Sequence, residues 1–529
     1  MSMSKLKLAT MMMLVVSAAG ASLFAYQAAT GQDKPPAAAA TAPTSELWGR
    51  SGELWTPQSR LPDFSFAGYR SGDAPIPDLP VRANVKDFGA RGDGETDDTQ
   101  AFVKALSTVA DGAVLVPAGR YRITDVLRIE RSRVVLRGEG QDRTVLFFPK
   151  PLAEMIGPAP DWAGSKAAKG NWSWGGGVLW LTGRDEGARI AGVAAPARRG
   201  DRVLALSSAR GIVPGATVRL LMREAPDGSL GRHLHANLAP AGAGVIRAIE
   251  GRLVDWASRV EAVSGDRLTL ERPLRLDVRL EWKPEVWSSA PSVQDVGLED
   301  FTIEFPDSPY GGHFTEKGFN GVFFDGVHHG WVRRVSILDA DNGVFFHMPT
   351  TSLQISRWVT VSDLRLATRW RKGRVTGHHG IALEGPQDCL ISDFAVDTEF
   401  VHDLTVDTVA CGNVFSRGRG RNLCFDHHTL APYENLFTEI DAGTGDRLWT
   451  SGGPSDGGPG SAARTTLWNV RAARPPAAVP PYPQVTIVGM TAWPAIRSDS
   501  AWIEPIPPDA LVPRNLHEAQ LARRRVGGR

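Results

Sequence analysis

Titratable side chains are concentrated between positions 378 and 447. The motifs GHHG, HDL and DHH bring several of the chain's twelve histidines into this stretch, together with carboxylates and Arg447. The unperturbed pKa of an imidazole lies near neutrality, so histidine can take up or release a proton at physiological pH. Histidines and carboxylates gathered in one stretch therefore predict general acid–base chemistry.

Three strand-like pieces, GIALE, LTVD and CFD, predict how these side chains are arranged. Aligning them with Phe425 beside Val406 predicts a ladder of carboxylates formed by Glu384, Asp407 and Asp426. Neighbouring members would be about 5 Å apart, and like charges that close cannot all stay ionised and unpaired. One is then protonated, a cation lies among them, or basic side chains neutralise them. The nearby histidines and arginine favour the last arrangement.

Roles can be assigned within this ladder. His379 or His402, each placed just before a strand, is predicted to act as the base. Arg447 or Lys317 is predicted to neutralise developing charge. Lys317 lies in a second polar loop, GGHFTEKGF, which could wall one side of a groove. The predicted catalytic residues are His379, His402, Asp426, His428 and Arg447, and the predicted substrate-binding residues are Lys317, Glu384, Asp407 and Trp449.

Regularly spaced short strands must position these side chains. Between residues 293 and 470, strand-like pieces recur, and Ile391, Asn413 and Asn435 follow one another at intervals of 22 residues. Such spacing predicts stacked coils, as in repeat architectures. An antiparallel sandwich is the alternative, but two-residue hairpin turns rarely separate these strands. We therefore predict an all-β fold, a parallel β-helix.

Other segments depart from this pattern. Residues 200–290 contain alternating strands joined by Gly and Asp turns, which predicts a small inserted antiparallel β subdomain. Residues 31–46 are rich in Ala and Pro and are typical of a linker. The predicted organisation is a signal peptide at 1–30, the linker at 31–46, an N-terminal segment with the first coils at 47–199, the insertion at 200–290, the main coils at 291–470, and a C-terminal strap with a short helix at 471–529.

A glycine-rich and acidic run, DFGARGDGETDDTQAF, is followed by the strand-like piece VLVPAGRYRI. It predicts a glycine-rich turn and then a helix capped by Asp97 or Asp98. The run resembles the N-terminal signature of the pectate-lyase-like, polygalacturonase-like (rhamnogalacturonase/epimerase-like) superfamily of right-handed parallel β-helices. The resemblance implies a right-handed β-helix whose open end is closed by this capping helix.

The resemblance also implies a polysaccharide as the substrate and partner. We expect a carbohydrate-active enzyme, a lyase that cleaves an acidic, uronate-containing polymer by β-elimination. A polygalacturonase-like glycoside hydrolase and a uronate epimerase are the enzymatic alternatives. GHHGIALEG is similar to the GHG-type motif of polygalacturonases, but Asp339 and Asp341 are not adjacent as in that family. CFDHH is similar to an epimerase signature, with His428 in place of Glu. A carbohydrate-binding or adhesive β-helix is the non-enzymatic alternative.

The bulk composition and the first residues indicate where the protein works. The formal net charge is +1, so there is no global basic field for nucleic acid. Lys5 and Lys7 precede an apolar run and a series of small residues, which predicts a cleaved signal peptide and export to the periplasm or the extracellular space. No stable membrane anchor and no required cofactor are expected. Calcium use and oligomeric state stay open.

Overall fold

The computed structural model describes residues 43–163, 170–237, 242–244, 249–347, 354–371, 373–453, 457–458, 462–474, 479–491 and 501–527. The predicted signal peptide and most of the predicted linker lie outside these residues. Within the described ranges, no helix has both the length and the apolar character needed to cross a membrane.

Short strands account for most of the regular secondary structure in the described residues. In chain order they are β1 (Val81–Asn84), β2 (Asp93–Asp97), β3 (Gly112–Val116), β4 (Gly119–Arg122), β5 (Leu127–Ile129), β6 (Val134–Gly138), β7 (Thr144–Phe147), β8 (Leu179–Thr182), β9 (Arg189–Gly192), β10 (Val203–Ala205), β11 (Thr217–Met222), β12 (Val254–Ser264), β13 (Arg267–Leu270), β14 (Glu285–Ser288), β15 (Gly297–Glu304), β16 (Asn320–Asp325), β17 (Trp331–Leu338), β18 (Asn342–His347), β19 (Thr360–Ala367), β20 (Gly377–Glu384), β21 (Leu390–Ser392), β22 (Ala395–Val396), β23 (Phe400–Asp407), β24 (Val414–Ser416), β25 (Arg419–Gly420), β26 (Phe425–His427), β27 (Leu436–Asp441), β28 (Thr466–Arg471), β29 (Thr486–Met490) and β30 (Trp502–Glu504). The α-helices are α1 (Thr99–Thr108), α2 (Leu152–Met155), α3 (Ser229–Leu234) and α4 (Leu516–Val526), and short 3-10 helices span Tyr69–Gly72, Val85–Phe88 and Leu280–Trp282.

Two stacks of parallel strands build the body of the protein. One runs β5–β8–β16–β18–β20–β23–β26. The other runs β1–β3–β6–β15–β17–β19–β21–β24–β27–β28–β29–β30, with shorter strands pairing alongside it. Successive strands of each stack belong to successive coils, and parallel crossovers are right-handed. The predicted right-handed parallel β-helix is confirmed.

The insertion is a separate antiparallel sheet with the strand order β10–β13–β12–β11–β14–β9. It begins at Arg189, before the predicted boundary, because β9 pairs antiparallel with β14 and so closes the sheet. Its apolar side chains, including Trp256 and Trp282, form a second core together with coil residues such as Tyr433. The predicted antiparallel subdomain is therefore present.

The predicted helix near the start of the coils is α1. Phe102 and Leu106 are buried in the main core, and Phe102 lies edge-on to Tyr121. The carboxylate of Asp98 accepts the backbone N–H groups of Arg91 and Gly92 rather than those of the helix, at 2.7 and 3.0 Å. Asp98 therefore holds the glycine-rich turn against α1. Residues 85–88, just before the glycine-rich turn, form a 3-10 helix.

The coil register differs from the predicted one at one position. Asn413 and Asn435 stack as predicted, since the amide of Asn413 donates to the side-chain oxygen of Asn435 at 3.0 Å. Ile391 is not part of this column, because it pairs with Phe415 in the core. The backbone N–H of Cys389 donates to the Asn413 side chain instead. The asparagines therefore lie in the turn just before the strand. The residue that aligns with them on the preceding coil is Cys389, two residues before Ile391.

Segments from both ends of the chain pack on one outer face of the coils. Trp48, Trp55 and Phe64 form an apolar cluster with Trp468 and with Leu516 of α4. Gln520 of α4 ties this segment down, because its side chain accepts the Phe64 N–H at 2.8 Å and donates to the Pro62 carbonyl at 2.9 Å.

A buried ionic network attaches the insertion to the coils. Arg275 of the insertion bridges Asp388 at 2.8 Å and Glu434 at 3.2 Å. These two carboxylates lie at equivalent turns two coils apart, with the turn at Cys411 between them. Arg464 approaches Glu434 at 3.0 Å from the next coil. Because the charges are buried and mutually compensated, removing one leaves the others without compensation in a medium of low dielectric.

We predict that Glu434→Gln destabilises the fold by about 3 kcal/mol, because it leaves buried guanidinium groups uncompensated. Asp111→Asn is the matched control, since Asp111 forms an exposed pair with Arg133 at 2.7 Å, and its loss should cost less than about 1 kcal/mol. Urea unfolding of both variants measures the difference. Equal shifts of the two midpoints would contradict the role of the network.

Candidate active site

A column of polar side chains crosses four coils at the start of β16, β18, β20 and β23. Asn320, Asn342, His379 and His402 pair in register along it. A Cβ at Gly380 would lie 2.5 Å from the Asp403 carbonyl oxygen, so a glycine is needed beside His379 for the coils to approach this closely. The predicted alignment of His379 with His402 is thus present in the structure.

The asparagines of this column hold a loop over the histidines. We call residues 171–176 the tryptophan loop. Asn320 donates to the carbonyls of Trp172 and Gly175 at 3.0 and 2.8 Å. The loop brings the Trp174 ring to 5.0 Å from that of His379, between centroids. Trp174 was not among the residues predicted from the sequence, although the motif NWSWGGG, with aromatics next to glycines, was an available signal.

A second loop, residues 310–318, closes the other side, and we call it the histidine loop. Nε2 of His313 lies 3.0 Å from Nε2 of His378. Glu316 is buried, accepts a hydrogen bond from Tyr310 at 2.8 Å and lies 3.4 Å from Nδ1 of His378. The Lys317 side chain is exposed. His313 and Glu316 thus join His378, His379 and His402 in one group of side chains, which we call the histidine cluster. Lys317 does not contact it.

Asp426 is the buried carboxylate at the centre of the cluster. Nδ1 of His428 lies 2.6 Å from it and Nδ1 of His402 lies 3.2 Å from it. The Thr405 hydroxyl and the Gly452 N–H also donate to Asp426, at 3.0 and 2.9 Å. The carboxylate is therefore surrounded by donors.

The predicted ladder of three carboxylates is wrong in its last member. Glu384 pairs with Asp407 as predicted, but Asp426 pairs with Thr405. The cause is Phe425, whose ring stacks on Phe437 in the core at 4.5 Å. That packing moves β26 by two residues relative to the predicted alignment.

Burial and neighbouring charges set opposite protonation states in the cluster. Burial holds the pKa of His379 well below its usual value and lowers that of His402 to about 4, so both rings are neutral. Burial also opposes the charge on His428, but Asp426 and Asp407 outweigh it and raise the pKa of His428 to about 9. Burial and the adjacent Asp407 raise the pKa of Glu384 well above its usual value. His428 therefore places a positive charge beside Asp426 and Asp407.

Arg447 and Trp449, which the sequence predicts as site residues, lie away from the ring nitrogens of the histidines. Arg447 forms an ion pair with Asp403 and donates to the Phe400 and Asn422 carbonyls at 2.6 and 2.8 Å. Trp449 is buried in the main core with its ring near Tyr482, so no open face is available for a sugar. Arg447 therefore braces a strand, and Trp449 fills the core.

Among the residues that the structure describes, two groups of side chains have the donor atoms for a metal ion. Ring nitrogens of His313, His378 and His402 lie within 4.8 Å of one another, and donor atoms of His402, Asp426 and His428 do the same. The first group is rich in nitrogen, which suits ions such as zinc. Calcium prefers six to eight oxygen ligands.

Comparison with known proteins supports the resemblance proposed from the sequence. A family model described as "Rhamnogalacturonase A/epimerase, pectate lyase-like" matches residues 82–150. The resemblance to the pectate-lyase-like β-helix superfamily is confirmed. It rests on this N-terminal segment, which contains α1 and the first coils.

Curated relatives match short stretches of this chain. "Alginate lyase 7" of Azotobacter vinelandii is 43% identical over 72 residues, which is 12% of this chain and 8% of that protein. "Mannuronan C5-epimerase AlgE3" of the same organism is 42% identical over 72 residues, 12% of this chain and 4% of that protein. An exopolygalacturonase from Thermotoga maritima superposes with a TM-score of 0.36 and 12% identity, covering 79% of this chain and 88% of that one. The matched segment is thus a small part of each curated relative.

Asp325 occupies the strand end that corresponds to Glu384 and Asp407 on later coils, and burial raises its pKa from 3.8 to about 7. The folded state then binds the proton more tightly than the unfolded state, so stability falls as the pH rises through this range. We predict that Asp325→Asn, which carries no charge, is more stable than the wild type by at least about 1 kcal/mol at about pH 8 and indistinguishable from it below about pH 4. Urea unfolding at both pH values measures this.

The exposed Asp161 provides the control for this measurement. Asp161→Asn should change stability equally at both pH values. A pH-independent effect of Asp325→Asn would contradict the assignment.

Proposed function

We propose that this chain is an exported carbohydrate-active enzyme that cleaves an acidic, uronate-containing polysaccharide by β-elimination. Two lines of support lead to this proposal. A stretch of 72 residues resembles proteins named as an alginate lyase and a mannuronan epimerase, and both names refer to polyuronates. The histidine cluster has the groups that proton abstraction beside a carboxylate requires.

The observation that carries the proposal is a relay of hydrogen bonds to His379. The Thr405 hydroxyl donates to Asp426 at 3.0 Å, so its oxygen is left to accept from Nδ1 of His379 at 3.3 Å. With the proton on Nδ1, Nε2 of His379 has the free lone pair. Nε2 is buried and makes no hydrogen bond with the described residues. It is therefore oriented as a proton acceptor, following the logic by which a third group orients a catalytic base.

The proposed reaction uses these groups in order. Nε2 of His379 accepts the proton from the carbon beside the uronate carboxylate, and the electron pair of that bond forms a carbon–carbon double bond. The glycosidic carbon–oxygen bond breaks, and the leaving oxygen takes a proton from His428, which Asp426 holds at 2.6 Å. Trp174, which is partly exposed, offers a flat apolar face for a sugar ring.

The activity is tested by incubating the protein with a panel of uronate-containing and neutral polysaccharides. We expect a rise in both the ultraviolet absorbance of unsaturated uronate products and reducing sugar. Reducing sugar without absorbance would instead identify a hydrolase, and a changed uronate composition without cleavage would identify an epimerase. Binding with no reaction on any substrate would favour the adhesive alternative.

His379→Ala should lower the rate of elimination by about 100-fold or more, because it removes the proton acceptor. Initial rates of absorbance increase at saturating polymer measure this. Wild-type rates in the variant would remove His379 from the mechanism.

Thr405→Val tests the relay, in which Thr405 is a positioning residue. It keeps the shape of the side chain but removes the hydroxyl, so we expect kcat to fall by about tenfold with KM unchanged, and Thr405→Ser to restore it. Thr466→Val is the matched control, because the buried Thr466 hydroxyl makes no hydrogen bond with the described residues. Equal rates in Thr405→Val and the wild type would contradict the relay.

A further inference from the structure

We infer that His313, His378 and His402 form a binding site for a divalent transition-metal ion of the zinc type. The site goes beyond the proposed reaction, and metal binding can be tested without any substrate. The inference rests on the geometry of three imidazoles from three parts of the fold: the histidine loop, β20 and β23.

The spacing of the nitrogens fits a shared ion. Nε2 of His313 and Nε2 of His378 are 3.0 Å apart, and a ring nitrogen of His402 lies within 4.8 Å of both. Two nitrogens bound to a tetrahedral zinc ion at 2.0–2.1 Å would be about 3.3 Å apart. Small side-chain movements therefore suffice to bring three nitrogens to one ion.

Buried carboxylates stand behind two of the three rings. Nδ1 of His378 lies 3.4 Å from Glu316, and Nδ1 of His402 lies 3.2 Å from Asp426. A carboxylate behind the second nitrogen of a ligand histidine fixes the tautomer and directs the other nitrogen to the metal. Neither Nδ1 atom makes an aligned hydrogen bond with the described residues, although both are buried. An ion on the opposite nitrogens would strengthen the attraction of these N–H groups to the carboxylates.

The donor set also selects the class of ion. Three imidazole nitrogens suit zinc, copper or nickel, whereas calcium and magnesium require oxygen ligands. His313 is exposed and the other two histidines are buried, which gives the ion an entry path from the side of the histidine loop. Three protein ligands leave the fourth position of a tetrahedral ion open, as in catalytic zinc sites.

An open position would complete the proposed chemistry, and this part of the inference rests on the proposed function. Elimination needs a cation to balance the charge that develops on the uronate carboxylate. Arg447 is engaged by Asp403, and Lys317 is exposed outside the cluster. The ion would supply that positive charge.

Isothermal titration of chelator-treated full chain with zinc chloride tests the site. We expect about one zinc ion per chain, and binding at least about tenfold weaker in His313→Ala and in Glu316→Gln. His313 lies on an exposed loop, so its replacement leaves the coils intact. Lys317→Ala, four residues along the same loop, should keep the wild-type affinity.

Absence of zinc binding by the wild type, or equal affinity in His313→Ala and Lys317→Ala, would overturn the inference. Calcium binding without zinc binding would overturn it as well. Zinc binding by a protein that cleaves no polymer would leave the metal site standing and refute the proposed function. Cleavage by metal-free protein at the full rate would leave the proposed function standing and refute the role of the ion in the reaction.

Discussion

Hydrogen bonding between parallel strands on successive coils is the constraint on which the rest of this structure depends. It places side chains at equivalent positions about 4.8 Å apart, so each side chain must tolerate its neighbours above and below. Asparagine does so by donating along the stack, as between Asn342 and Asn320 at 3.1 Å. Apolar rings do so by stacking, as between Phe324 and Phe346. Titratable side chains in register must share protons or charges.

The candidate site is a product of this constraint. His379 and His402 are brought together by strand pairing, and burial keeps both neutral. Asp426 enters from the next coil and is stabilised in its charged form by His428. The two loops add Trp174 and His313, which lie far from these strands in sequence. The stack therefore provides the floor of the site, and the loops provide its walls.

The inserted sheet depends on the same stacking in a different way. Its attachment uses charged side chains at turns that align along the stack, with Arg275 contacting Asp388 and Glu434 two coils apart. A second buried group joins Arg219 and Arg357 to Asp255. Ion pairs of this kind need good geometry to offset the cost of desolvation. The regular rise of the coils supplies that geometry on the side of the β-helix.

The parallel β-helix, the antiparallel insertion and the pairings of His379 with His402 and of Glu384 with Asp407 were all predictable from the sequence. Turn residues and strand spacing are local properties, so they can be recognised without a structure. The position of Asp426 was decided by the stacking of Phe425 on Phe437, a core contact that spacing does not reveal. Likewise, the packing of the two loops sets the distances of Trp174 and His313 from the cluster. Arg447 forms an ion pair with Asp403 instead of contacting the histidines. These contacts join residues far apart in the chain, so only the tertiary structure could place them.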